Sequence, residues 1–88
     1  MKLNNQDVIR LTEIRIYFLD PPYSYKLNGY AMTQVEESIH ILQKYPAAAV
    51  LVDQMETFKP LLQSSESNIN TTMETMKQFA VLLKQINR

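Results

Sequence analysis

Asp20, Pro21, Pro22 and Tyr23 close an apolar approach in the stretch IYFLDPPYS, and Tyr25 and Tyr30 follow within a few residues. A loop carrying Tyr23, Tyr25 and Tyr30 presents large, rigid, amphipathic side chains of the kind that interfaces favour. His40, the sole histidine, is a second chemical option. One imidazole makes a metal site only where several carboxylates converge on it, so a helix-surface histidine is the simpler reading. Asp53 and Glu56 are a third option, and their spacing suits a helix cap or surface better than a paired acid and base. The chain has no cysteine, which removes thiolate nucleophiles, disulfides and Cys-based zinc sites. Gly29 is its one glycine, so no Gly-rich phosphate cradle exists. No catalytic residue, metal or cofactor is expected.

The stretch IYFLDPPYS resembles the D-P-P-Y motif of amino-methyltransferases, which methylate exocyclic nitrogens of adenine in DNA or of guanine in ribosomal RNA. The resemblance implies an apolar strand ending at the motif. It also implies that Asp20, Pro21 and Pro22 help hold a target amino group while Tyr23 stacks on a flipped base. QVEESIHILQKYPAAAVLVD would then supply the next helix and strand, and the likeness covers roughly half of the chain. Read from the residues themselves, Asp-Pro-Pro is a helix stop, because proline cannot continue a helix and aspartate is at home in turns.

Nine basic and nine acidic side chains cancel, and no segment is a basic run, so the electrostatic footprint of a nucleic-acid binder is missing. The longest apolar run, AAAVLV, is far too short to span a bilayer, and no membrane insertion is expected. MKLNNQDVIRLTE lacks the apolar segment of a secretory signal, which with the absence of cysteine gives a cytoplasmic expectation.

Four apolar-periodic segments must position these residues within a single helical domain, 1–88. Val8, Leu11, Ile14 and Phe18 recur at helical spacing over about Asn5 to Leu19, with Asn4 or Asn5 as cap. The alternation in EIRIYFL also fits a strand. A Tyr/Pro-rich loop is expected over 20–31. TQVE, from Thr33, has capping-box spacing and opens a second helix with Met32, Val35, Ile39 and Leu42 on one side, closed by Pro46. PAAAVLVDQMETFKPLLQ suits a third helix kinked at Pro60, or else a buried strand over 47–52 followed by a helix.

The fourth helix is assigned a capping box at Thr71 and Glu74. Met73, Met76, Phe79, Ala80, Leu83 and Ile86 form its stripe, and Lys84 and Arg88 complement its C-terminal dipole. Positions 48, 51, 55, 58, 62, 65, 69, 72, 76, 79, 83 and 86 read A-L-M-F-L-S-I-T-M-F-L-I in steps of three and four. This coiled-coil-like seam is weakest at Ser65 and Thr72. It fits one long kinked helix or, preferably, two helices folded back at a polar hinge over 64–70, where Ser, Asn and Thr compete for backbone hydrogen bonds.

The fold expected is therefore all-α: a small bundle of three to four helices with a C-terminal coiled-coil-like hairpin. The alternative is an α/β arrangement, a small parallel sheet with helices. The function expected is a non-enzymatic protein–protein interaction module, an adaptor, chaperone-like partner or inhibitor, binding a protein partner or a second copy. Its contact residues would be Tyr23, Tyr25 and Tyr30 in the loop and Met73, Met76, Phe79, Leu83 and Ile86 on the last helix. The alternative function is a degenerate or partial amino-methyltransferase-like fragment acting in a larger assembly.

Overall fold

Asn4 starts the first helix: its side-chain oxygen accepts the Asp7 backbone N–H at 2.8 Å, and α1 runs Asn5–Leu19 in this computed structural model, which describes residues 2–86. Leu11, Ile14 and Phe18 face inward from α1. Next come α2 (Leu27–Leu42), a 3₁₀ turn (Pro46–Ala48), α3 (Ala49–Glu56), α4 (Phe58–Ser64) and α5 (Ile69–Lys84). With α3 and α4 forming one broken arm, the chain is a small all-α bundle, and there is no strand among the described residues.

The strand readings of 13–19 and 47–52 are thereby corrected. Residues 13–19 continue α1, because Leu11, Ile14 and Phe18 bury at helical period while Ile16 points outward, 60 % exposed. Residues 47–52 enter a helix because Tyr45 is extended (φ −115°, ψ 106°) and Pro46 stands at the first helical position, where no N–H is required.

Three boundaries also differ from expectation. The loop is shorter than 20–31, since α2 begins at Leu27 rather than near Thr33. Ser24 starts α2: its hydroxyl accepts the Lys26 N–H at 3.1 Å and its carbonyl accepts the Leu27 N–H at 3.1 Å. Leu27 and Ala31 are then buried one turn apart, and the Thr33 hydroxyl donates to the Gly29 carbonyl at 3.0 Å inside the helix. Second, α5 is capped by Asn68, whose side chain accepts the Thr71 N–H at 3.1 Å, so the Thr71–Glu74 box lies within the helix. Third, the break expected at Pro60 falls at Thr57. Pro60 has no N–H for the Glu56 carbonyl, and at the break the Thr57 backbone N–H and hydroxyl both donate to the Gln54 carbonyl, at 3.2 and 2.6 Å. Arg88 lies outside the described residues.

The preferred hairpin is present. α4 ends at Ser64, α5 starts at Ile69, and all twelve seam positions from Ala48 to Ile86 are buried or half-buried. The two polar ones meet: Ser65 Oγ and Thr72 Oγ1 are 2.8 Å apart, and the Thr72 hydroxyl donates to the Ser65 carbonyl at 3.0 Å. At the centre, Phe79 packs between Phe18 and Phe58, with ring centroids 5.3 and 5.1 Å away. The broadest helix contact is between α1 and α5.

Two polar links join α1 to α2. The Arg10 guanidinium grips Glu37 with both arms, at 2.6 and 2.8 Å. One turn earlier on α1, the largely buried Asp7 carboxylate accepts hydrogen bonds from the Tyr45 hydroxyl and, at 2.8 Å, from Lys44, both just after α2.

Candidate functional site

The segment between α1 and α2 is held by its backbone rather than by its rings. Asp20 closes α1 by donating its N–H to the Ile16 carbonyl at 3.3 Å, Pro21 is buried, and the Ser24 turn launches α2. Tyr23 and Tyr25 project from this fastened segment, 79 % and 88 % exposed, and Tyr30 follows on the first turns of α2, 50 % exposed. The helix stop thus sets the tyrosines out from the bundle end. The strand that the methyltransferase resemblance requires before Asp20 is α1 instead, which removes the geometry those roles need.

Tyr23 and Tyr25 border a recess of about 240 Å³ between the loop and the α4–α5 turn, with Ser24, Asn28, Glu66 and Ser67 at its rim. Leu27, Ile69 and Thr72 lie beneath them. Tyr25 also borders a shallower depression shared with Lys26, Gly29, Tyr30 and Glu66. Asn28 ties the two walls together: its amide donates to the Leu62 carbonyl and, at 3.3 Å, to the Ser65 hydroxyl. The Lys26 ammonium stands 5.9 Å from the Tyr25 ring centre, close enough for a cation–π contact on a ring that is otherwise open.

This lining offers hydroxyls, one amide, one carboxylate and three aromatic faces. It contains no imidazole, and His40 lies on the exposed side of α2. Among the described residues, no three His, Asp or Glu side chains converge on a common point that could hold a metal. Asp53 and Glu56 are both exposed on α3, where Glu56 pairs with Lys59 at 3.5 Å, a surface helix pair.

Of the residues proposed from sequence, the structure brings Tyr23, Tyr25 and Tyr30 to one end of the molecule. It uses the C-terminal stripe differently. Met76, Phe79, Leu83 and Ile86 are buried in the chain's own core, and Met73 packs partly buried against it. Only Met73 of this stripe is partly open to the surface.

Asn28, Glu66 and Ser67 were not legible as site residues. They are ordinary polar residues, with Asn28 more than thirty positions from the adjacent Glu66 and Ser67 until the fold brings them together. A second exposed apolar feature was equally hidden. Ile9, Ile16 and Leu19 lie on the outer side of α1, opposite its buried stripe.

Two charged clusters lie away from the recess, on the flanks of the bundle. Lys44 and then the Tyr45 hydroxyl hold the Asp7 carboxyl below the usual carboxylate range, and Asp7 in turn raises Lys44. The Arg10 fork lowers Glu37 in the same way. Neither group lines the recess. No helix among the described residues is long and apolar enough to cross a membrane. No protein-family model matches the chain, no curated protein matches it, and no solved structure matches it.

Proposed function

We propose that this chain is a non-enzymatic protein–protein interaction module whose partner-binding face is its tyrosine-rich end. The observation that carries the reading is the pairing of open rings with a fastened backbone. Tyr23 and Tyr25 are almost fully exposed on a segment pinned by the α1 stop, the Ser24 turn and the Asn28 amide. Such rings present large amphipathic area, and the fixed backbone limits the entropy lost on binding. The recess beside them takes one inserted side chain of the partner, and Asn28, Glu66 and Ser67 supply polar contacts at the rim. An enzyme is disfavoured because the lining pairs no nucleophile with a base. Balanced charge favours a protein over a nucleic acid as partner, and the lack of cysteine agrees with a cytoplasmic setting.

The test is affinity capture from the native host with three baits: the wild-type chain, Tyr23→Ala/Tyr25→Ala, and Val50→Ala/Val81→Ala. Val50 and Val81 are also well exposed but lie outside the recess lining. The proposal expects a stoichiometric protein on the first and third baits and its loss from the second. A partner retained equally by all three would refute the tyrosine face.

A further inference from the structure

We infer that the α4–α5 turn is a hinge, and that straightening it exchanges α5 between two copies of this chain. The register of the seam runs on in steps of three and four from Leu62 through the polar Ser65, Ile69 and the polar Thr72 to Met76, as though no turn intervened. Neither proline nor glycine occurs after Pro60. No described residue has a positive φ, and Ser65 at φ −94°, ψ 9° is already close to helical, whereas Asn68 at φ −136°, ψ 98° is extended. A change of a few dihedrals centred on Asn68 therefore joins α4 to α5. The joined helix, from Phe58 to Lys84, is roughly 40 Å long.

Straightening carries α5 away from its own α1 and uncovers Leu11, Ile14 and Phe18. The surface that fits them is the Met76, Phe79 and Leu83 face of α5, so a second copy supplies the complement and receives the same in return. Two features hold the hairpin closed in the monomer. One is the Asn68 cap, and the other is the clamp of Ser65, Thr72 and Asn28. In a straight helix Ser65 and Thr72, seven residues apart, stand about 10 Å from each other, so the clamp exists only in the folded-back form. Polar residues at two seam positions thus select the hairpin over the straight helix. Exchange also withdraws Glu66 and Ser67 from the tyrosine recess, so the monomer presents the complete recess and the exchanged dimer does not.

The experiment refolds three chains from denaturant at high concentration and measures mass by light scattering. They are the wild type, Ser65→Ala/Thr72→Val, and a chain with two glycines inserted after Glu66, each first checked for helicity. The wild type should yield a species of twice the monomer mass. The double variant should dimerise at least about tenfold more tightly, because each of the two monomers loses one to two net hydrogen bonds that the dimer does not have. The lengthened hinge should remain monomeric. In a dimer built from differently labelled chains, isotope-filtered NMR should detect the Phe18–Phe79 contact between chains. Absence of dimer from both the wild type and the double variant would overturn the inference. So would a dimer whose Phe18–Phe79 contact stays within one chain, or equal dimerisation of the glycine-inserted chain.

Discussion

Phe79 is fully buried between Phe18 and Phe58, at the meeting point of α1, α4 and α5. Truncating a packed phenylalanine typically costs about 3–5 kcal/mol, against a total stability of about 5–15 kcal/mol for a whole domain. Phe79→Ala should therefore abolish or severely lower the cooperative thermal transition followed by circular dichroism. A variant of unchanged melting temperature would show that the ring is not in the core. Asp7 and Glu37 give a second expectation, in pH. Both carboxyls titrate lower in the folded chain than in the unfolded one, so their stabilisation is present above about pH 4 and is lost as the pH falls through their folded values. Lys44 has the opposite sign: its value is raised, so its share is present below about pH 10 and is lost as the pH rises beyond. Melting temperatures measured from pH 7 down to pH 2 should show wild type above Asp7→Asn at neutral pH, with the gap closing in acid. A gap independent of pH would mean that the Asp7 charge contributes nothing.

The elements were more legible than their ends. The three-and-four seam located the buried positions of α3 and α4 and all but Thr75 and Ala80 of α5, because helical periodicity is a property of many residues at once. Caps are decided by one or two hydrogen bonds, and local spacing misassigned them. Thr33–Glu36 and Thr71–Glu74 have the right residue types, yet Asn68 caps α5, and α2 opens from a Ser24 turn with no side-chain cap. Tertiary burial of Leu27 and Ile69 extended both helices upstream past those apparent boxes. The D-P-P-Y stretch misled in a similar way, since an apolar approach to a proline stop looks the same whether it is strand or helix. Exposed Ile16 beside buried Ile14 resolves it only once the fold is known. Asn68→Ala should cost about 1 kcal/mol, the usual worth of a helix N-cap, in urea unfolding. Thr71→Ala, expected to matter if the downstream box capped α5, should cost less. The reverse order would return the helix start to Thr71.

Taken whole, the bundle closes its core within one chain. Its radius of gyration is 12.4 Å, close to the roughly 12 Å expected of a compact chain this long. The Leu51–Met55–Leu62 and Met76–Phe79–Leu83 stripes are buried in a common core. What remains open and aromatic is the end where Tyr23, Tyr25 and Tyr30 stand around the recess. The central claim is that a protein partner docks there. Titrating the isotope-labelled chain with the captured partner, and following backbone amide shifts by NMR, tests this residue by residue. The account predicts the largest changes at Tyr23, Ser24, Tyr25, Asn28, Glu66 and Ser67, with the core amides unmoved. Changes centred instead on Ile9, Ile16 and Val81, with the tyrosine end silent, would contradict it.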